Sequence, residues 1–374
     1  MLKAKVSYST NTDSYKSGKE TVEKAIKGLN NKNIGILYTS SLSNLTEVIK
    51  GVRSISNIPL IGSTSEGLMT SEGFIQSDKK YSSIMVLDDK DMLVSVSSHA
   101  KGKSPREVGR KVAIDAVEKS KTERAPAYFY MIASSDEEEY LRGIEDVIGR
   151  VPMFGGTTSN KIICNDKVLS DGVAVAFFYT DNEIETTFAS GYKETNNIGI
   201  ITKTRGNNDL VEINNNKAID EYAKWINKDS NDIESIEKEY INKPLGIKDS
   251  INDLLVVRNI DRIKTNMTMS NKVLENTSII NLKATREDFI NAPIDTIKDL
   301  KKKLYTTPAV YILMHNELRL NNITKMDEVY EKIRKETKNT PFIMPFTNGE
   351  YGYNEHSANT CGNLMLSFTV FGKN

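Results

Sequence analysis

Three short polar segments hold the residue types best suited to contact a small molecule, and each follows a short apolar run. They cover residues 62–67, 155–160 and 347–352, with the sequences Gly-Ser-Thr-Ser-Glu-Gly, Gly-Gly-Thr-Thr-Ser-Asn and Thr-Asn-Gly-Glu-Tyr-Gly. Glycine lets a ligand approach the backbone closely, and hydroxyl groups and exposed amides bind carboxylate, amino or phosphate groups. The candidate ligand contacts in these segments are Ser63, Thr64, Ser65, Glu66, Gly155, Gly156, Thr157, Thr158, Asn348 and Glu350.

The same segments also have a purely structural interpretation, because Gly, Ser and Thr are common in tight turns. A single turn would favour that interpretation, but three turns in equivalent places leave both open. None of the segments is a phosphate loop, since the sequence contains no Gly-x-x-x-x-Gly-Lys-[Ser/Thr]. Glu66 and Glu350 follow their strands in similar places, and each could bind the ammonium group of a ligand.

Sequence signatures of catalysis are missing, so the chain is predicted not to be an enzyme. It has no Gly-x-Ser-x-Gly, His-Glu-x-x-His or Gly-x-Gly-x-x-Gly. A hydrolase with Ser63 or Cys361 as its nucleophile stays an alternative. His356 lies only five residues before Cys361, whereas the partners of a thiolate–imidazole pair usually come from distant segments.

His315 ends a predicted strand and could ligate haem iron. A histidine that is simply hydrogen-bonded at the end of a strand is the commoner case. Haem binding through His315 is therefore an alternative, and otherwise we predict no cofactor and no metal site.

The polar segments belong to an internal repeat. Pro59 and Gly62 of the first copy correspond to Pro152 and Gly155 of the second, each 93 residues further along. A more divergent third copy covers residues 309–350. In each copy an apolar run, an amphipathic stretch and a second apolar run precede the polar segment, and another apolar run follows it.

The spacing of the apolar residues predicts helices for the amphipathic stretches. A strand, a helix and a strand in that order imply a parallel pair with a right-handed crossover, while the next strand can pair antiparallel. The predicted fold class is therefore α+β, with mixed β-sheets packed with helices, repeated β-α-β-β units and two domains. We place the domains at residues 1–210 and 211–374, divided in an Asn-rich stretch, 203–217, that we interpret as a linker.

Composition excludes several other classes of protein. Fifty basic and fifty acidic residues cancel, so no overall charge attracts nucleic acid or anionic lipid. Two cysteines outside any metal-binding pattern fit a reducing cytosol. The sequence shows no apolar run long enough for a signal peptide or a membrane span, so we predict a cytoplasmic protein without membrane insertion.

Several motifs in a fixed order resemble the FIST family, whose members are sensory modules of bacterial signalling proteins and of one class of F-box proteins. Residues 30–210 resemble its N-terminal domain and 211–374 its C-terminal domain. The carriers are Arg319 and the segments 61–67, 152–159, 169–175, 218–222, 244–246 and 347–352. Ser63 stands where many members have cysteine, and 357–363 lacks the His-Asn-Gln-Thr-like run of others.

The resemblance implies a stand-alone sensor that binds a small ligand and signals to a protein partner. Amino acids are the ligand class that the family suggests, and some relatives bind haem. The resemblance adds Arg319 and Asn363 to the candidate ligand contacts.

Overall fold

Three structural copies, each of the order β-α-β-α-β-β-β-β, make up most of the protein. The computed structural model describes residues 1–373 except 77, 159, 250–252, 265, 324 and 354–357. The first copy consists of β1 (Lys3–Ser9), α1 (Ser14–Ile26), β2 (Ile34–Thr39), α2 (Leu45–Arg53), β3 (Leu60–Thr64), β4 (Leu68–Thr70), β5 (Gly73–Ile75) and β6 (Ser82–Asp88). The second consists of β7 (Leu93–Ala100), α3 (Pro105–Ser120), β8 (Tyr128–Ala133), α4 (Glu137–Ile148), β9 (Met153–Thr157), β10 (Ile162–Cys164), β11 (Lys167–Leu169) and β12 (Gly172–Tyr179).

The third copy is interrupted after its first strand, β13 (Ile184–Ala189), by an insertion. The insertion consists of β14 (Lys193–Arg205), β15 (Asp209–Ile213), β16 (Asn216–Lys217), α5 (Ala218–Ile226), α6 (Ile233–Glu237), β17 (Leu245–Lys248), β18 (Leu255–Arg258), β19 (Ile260–Ile263), β20 (Met267–Met269) and β21 (Ser278–Lys283). The copy then continues with α7 (Arg286–Lys303), β22 (Thr307–Asn316), a 3-10 helix (Glu317–Asn322), α8 (Met326–Thr337), β23 (Phe342–Thr347), β24 (Gly349–Gly352), β25 (Thr360–Gly362) and β26 (Leu366–Lys373).

The three copies exchange β-hairpins in a cycle. In the described residues they form three six-stranded sheets, with the orders β1-β6-β2-β3-β10-β11, β7-β12-β8-β9-β24-β25 and β13-β26-β22-β23-β4-β5. Each sheet therefore takes four strands from one copy and a hairpin from another. The second and third strands of each copy are parallel, and the other pairs are antiparallel. The predicted α+β class with mixed sheets and repeated units is confirmed.

The inner faces of the three sheets meet in one apolar core, and a helix pair covers each outer face. Near the centre, the hydroxyl of Tyr38 contacts that of Tyr130 and lies 3.7 Å from the sulfur of Met314. Tyr38 of the first copy thus contacts one residue from each of the other two copies in the shared core.

Local signals at the helix termini agree with the sequence. The side chain of Asn44 accepts a hydrogen bond from the amide of Glu47 at the start of α2, as the spacing predicted. At α4 the spacing of Ser135 and Glu138 predicts a similar cap, and that prediction is wrong, because the helix begins after Asp136 and no side chain caps it. Within the described residues, no helix is both long and apolar enough to cross a membrane.

The Asn-rich stretch 203–217 is not a linker, because it forms the end of β14 and the strands β15 and β16. Ile201, Leu210 and Ile213 are buried in the core of the insertion. Asn214 and Asn215 have positive φ and make the tight turn that follows β15. The predicted boundary between residues 210 and 211 lies inside β15, and the division into two domains stays a prediction.

Candidate functional site

The three polar segments, which we name the first, second and third corners, converge. Each hairpin exchange brings the corner of one copy against a neighbouring copy. Between the first and second copies, Thr158 Oγ1 donates a hydrogen bond to the carbonyl of Thr64 at 3.2 Å. Between the first and third, Ser65 Oγ accepts from the amide of Phe346 at 2.9 Å. These three hydroxyl-bearing residues are buried. Their hydroxyls therefore help to hold the corners together, whatever part they also take in binding.

The second corner packs closely against β24 of the third copy. The amide of Asn348 donates to the carbonyl of Thr157 at 2.9 Å, and Thr157 Oγ1 lies 2.7 Å from the hydroxyl of Tyr351. A Cβ atom on Gly155 would lie 2.0 Å from the carbonyl oxygen of Met131 in the neighbouring strand. The glycine at this corner is thus required by strand packing.

Ser63 and Glu66 occupy different environments at the first corner. Ser63 is buried within β3, opposite Tyr38 of β2 and Ile162 of β10. Glu66 is partly exposed and lies near Glu317. Burial, with the charge of Glu66, raises the pKa of Glu317 to about 7. Two carboxyl groups therefore meet where the first and third corners adjoin.

Beneath the third corner lies a group of six buried polar side chains, which we name the corner cluster. β22 supplies two of them, the 3-10 helix one, β23 and β24 one each, and the segment after β25 the last. The members of the cluster are His315, Asn316, Arg319, Thr347, Glu350 and Asn363. The sequence pointed to Arg319, Glu350 and Asn363 as ligand contacts and to His315 as a haem ligand, whereas Asn316 and Thr347 were missed.

Glu350 is surrounded by hydrogen-bond donors. Asn316 Nδ2 donates to both carboxyl oxygens at 3.0 and 3.2 Å, Thr347 Oγ1 donates at 2.8 Å, and the amide of Met365 donates at 2.8 Å. Burial raises the pKa of Glu350 to about 8, although these bonds and the charge of Arg319 act in the opposite direction. Glu350 is therefore a fixed acceptor whose charge can change near neutral pH.

The guanidinium of Arg319 is fully buried but only partly paired. Its Nη1 donates to the carbonyls of Ser190 at 2.9 Å and Leu364 at 3.3 Å, and its Cζ lies 5.1 Å from the centroid of the Phe289 ring. Nε and Nη2 have no hydrogen-bond partner among the described residues. Burial lowers the pKa of Arg319, and the neighbouring Glu350 opposes that shift. Unused N–H donors of a buried cation are rare, and they match the geometry of a carboxylate.

His315 is buried beside Arg319 and in its neutral form. Burial, with the charge of Arg319, lowers its pKa to about 3. Nδ1 lies 3.0 Å from the carbonyl oxygen of Asn316, and Nε2 has no partner within the described part of the chain. Haem ligation by this imidazole stays an untested alternative.

Asn363 links the cluster to the third polar segment. Its Nδ2 donates to the carbonyl of Asn348 at 2.8 Å, and its Oδ1 accepts from Asn316 Nδ2 at 3.2 Å.

Sequence reasoning could have found Asn316, because an asparagine that follows an apolar strand is a common cap: its Oδ1 accepts from the amide of Leu318. Thr347 could also have been found, because it opens the third polar segment and carries the same hydroxyl group as the candidates Thr157 and Thr158.

Glu66 and Glu350 are not equivalent, contrary to the sequence-based expectation. Ser63, Gly156 and Pro345 each lie four residues after the proline that precedes the strand in their copy. Glu350 lies opposite Gly156, while Leu68 lies opposite Pro345. The counterpart of Glu350 in the first copy is therefore Leu68. Both lie nine residues after the proline of their copy, whereas Glu66 lies seven residues after Pro59.

Both candidate nucleophiles of the hydrolase alternative, Ser63 and Cys361, are buried. Burial, with the nearby carboxylates Glu137 and Glu138, raises the pKa of the Cys361 thiol well above its usual range, which disfavours the nucleophilic thiolate. Ser63 is inside a strand, and His356 lies outside the described residues. Among the described residues, no three His, Cys, Asp or Glu side chains are grouped to hold a metal.

Comparison with known proteins supports the resemblance found in the sequence. The FIST N domain model matches residues 33–216, and the FIST C domain model matches residues 218–353. No curated protein matches the chain. A likeness to the solved structure of PurLQS from Thermotoga maritima covers 99% of this chain and 72% of that one, at 9% identity and a TM-score of 0.24. That likeness is too low to carry an argument. The two adjoining domain matches show that this chain belongs to the FIST family.

Proposed function

We propose that this protein is a non-catalytic sensor that binds an amino acid or a similar small metabolite at the corner cluster. FIST domains are in general small-ligand-sensing domains of signal transduction, sensory rather than catalytic. The finer part of the proposal concerns the ligand and where it binds. Signalling to a protein partner and a cytoplasmic location belong to the same proposal.

One observation carries the choice of ligand. Arg319 has two unused donor atoms and Glu350 a carboxyl group, and both are buried in one cluster. An α-carboxylate would accept hydrogen bonds from Arg319, and an α-ammonium group would donate to Glu350. A zwitterion would supply a carboxylate to the unused donors of Arg319 and an ammonium group that favours the ionised form of Glu350, which offsets the cost of burying these charges.

A binding screen over the standard amino acids, by thermal shift and then calorimetry, tests the proposal. A ligand present at one hundred times its Kd should stabilise the protein by about 2.7 kcal/mol. Arg319→Lys keeps the positive charge but removes the planar fork of donors, so we expect binding to weaken at least about tenfold. Glu350→Gln should weaken the binding of amino acids more than that of the matching carboxylates without an amino group.

Arg53→Lys is the matched control, because Arg53 is also mostly buried and donates to the carbonyl of Ile58 at 2.6 Å, far along the chain from the cluster. It should leave the affinity unchanged. If no amino acid shifts the melting temperature, the ligand class is wrong. If Arg319→Lys binds as the parent protein does, the ligand lies elsewhere.

The unpartnered Nε2 of His315 supports haem as a second candidate ligand. A Soret band on adding haem should then be lost in His315→Ala. It should persist in His99→Ala, whose ring instead lies 2.9 Å from Asp115. If stoichiometric haem gives no band, this second candidate is removed.

A further inference from the structure

A separate concavity lies between α4 and the insertion, and we name it the α4 cleft. It has a volume of about 290 Å³, close to the lower end of the range for small-molecule sites. One side is formed by α4 and the other by β17, β18 and the segment from Lys272 to Thr277. Residues 358–361 close the cleft beside β25.

Arg258, at the end of β18, provides a cationic group with an unused donor. Its Nη1 donates to the carbonyl of Cys361 at 2.7 Å, and its Nη2 lies 3.8 Å from a carboxyl oxygen of Glu138. Nε has no hydrogen-bond partner among the residues that the structure describes. Only 12% of the side chain is exposed. Such a guanidinium is anchored by the backbone and still has a donor for an anion.

Among the described charged groups of the cleft, Arg258 is the one that favours an anionic ligand. Arg142, Arg258 and Lys272 line it, against the carboxylates of Glu138 and Glu145. Burial raises the pKa of Glu145, which reduces the negative charge there. Glu139 pairs with both Arg142 and Lys272, so the attraction for an anion rests on the unused donor of Arg258, in a partly buried space where charge interactions are stronger than in water.

Two acceptors and an apolar wall further restrict the ligand. The side chains of Glu145 and Asn359 lie within hydrogen-bond reach of each other, but Glu145 Oε1 and Asn359 Oδ1 are buried and accept no hydrogen bond within the described part of the chain. These two oxygens therefore suit a hydroxyl or amino group. Leu141, Ile247 and Leu274 supply apolar surface to the same space. The ligand that satisfies all of these groups has an anionic end, an apolar body and a hydrogen-bond donor.

We infer that the α4 cleft is a second ligand site, specific for a small organic carboxylate that carries a hydroxyl or amino donor on an apolar body. The site shares no residue with the corner cluster, and it requires neither the proposed ligand nor the proposed sensor role.

The probe pair 4-hydroxybenzoate and its methyl ester tests this assignment, because the ester keeps the ring and the hydroxyl group but replaces the charged end that Arg258 would bind with a neutral, slightly larger one. Saturation-transfer NMR with the full chain should show the acid binding at millimolar concentration and the ester binding at least about tenfold more weakly. Arg258→Lys should weaken the binding of the acid to a similar extent.

Leu274→Trp keeps the test informative if Arg258 variants fold poorly. Leu274 lies at the rim and is 60% exposed, so the larger ring can be accommodated while it fills the cleft. Ile198→Trp is the control, because Ile198 is also in the insertion, is 53% exposed and does not line the cleft. We expect the acid to be lost from the first variant and kept by the second.

Three results would overturn the inference: no binding of the acid, equal binding of acid and ester, or equal binding by the two tryptophan variants. Arg319→Lys should leave the binding of 4-hydroxybenzoate unchanged. Failure at the α4 cleft can thus be told apart from failure at the corner cluster.

Discussion

Replacing Glu350 with glutamine tests the electrostatics of the corner cluster through the pH dependence of stability. Burial raises the pKa of Glu350 from its usual 4.5 to about 8 in the folded protein. Between these values the folded protein keeps a proton that the unfolded chain has lost. The contribution of Glu350 to the free energy of unfolding is therefore fully present below about pH 4.5 and falls by about 1.4 kcal/mol for each pH unit. It stops falling above about pH 8, where both states are ionised.

In Glu350→Gln this dependence is absent, so the variant gains stability relative to the parent as the pH rises. Between about pH 5 and pH 7.5 the relative gain should be roughly 3 kcal/mol. Urea unfolding of both proteins across this range measures it. The change with pH is the readout, since a glutamine amide facing the donors Asn316 and Thr347 adds a cost that does not depend on pH.

Glu317→Gln is the matched comparison. The pKa of Glu317 is raised to about 7 by burial and by Glu66. The same sign is expected, but the dependence should end near pH 7 and be smaller, because Glu317 is only partly buried. If the parent and Glu350→Gln lose stability in parallel from pH 5 to pH 8, Glu350 is ionised throughout and the reasoning is refuted.

Three further predictions test the fold by chemical denaturation. Asp288→Asn should lower the free energy of unfolding by about 1 kcal/mol at neutral pH. Burial raises the pKa of Asp288, but hydrogen bonds from a lysine and the capping threonine outweigh it and hold that pKa at about 2. That contribution is present above about pH 4 and fades as the pH falls through 2, so a difference that persists at the lowest pH contradicts it. Gly62→Ala should cost at least about 3 kcal/mol, because its Cβ would lie 1.7 Å from a backbone oxygen. Gly206→Ala, at φ +62° with open space around it, should cost only about 1 kcal/mol, and equal costs would argue against the packing explanation. Tyr38→Phe and Tyr130→Phe should each cost about 1–3 kcal/mol and the double variant less than their sum, whereas additive losses would mean that the two hydroxyls do not interact.

The sequence was sufficient to predict the repeated unit because that unit depends on short-range patterns. Pro59, Pro152 and Pro341 mark the same position in each copy, and apolar spacing marked the helices that cover each sheet. The exchange of hairpins could not be predicted in this way. Within the hairpin of the first copy, β4 pairs with β23, more than 270 residues away, and only side-chain fit in the assembled core selects that partner.

The insertion was misjudged for a related reason. Its strands around 203–217 are short and half exposed, so their buried residues are too few to show a period of two. Asparagines, which the sequence offered as evidence of a linker, instead make the turns at positive φ. Composition alone does not separate a small polar sheet from a flexible connection.

The location of the corner cluster follows from how the copies diverged. The pairing register of the strands shows which residues are equivalent in the three copies. The equivalents of Glu350 are Leu68 and Ile162, and the equivalents of His315 are Thr39 and Ala133. The first two corners therefore bury apolar or small side chains and bind to their neighbours through hydroxyls and backbone groups. The third alone among the equivalent positions buries a carboxyl group and an imidazole, beside Arg319. Because burying charge is costly unless something pairs it, we expect one ligand for each chain, and it should bind at the corner that keeps unpaired donors.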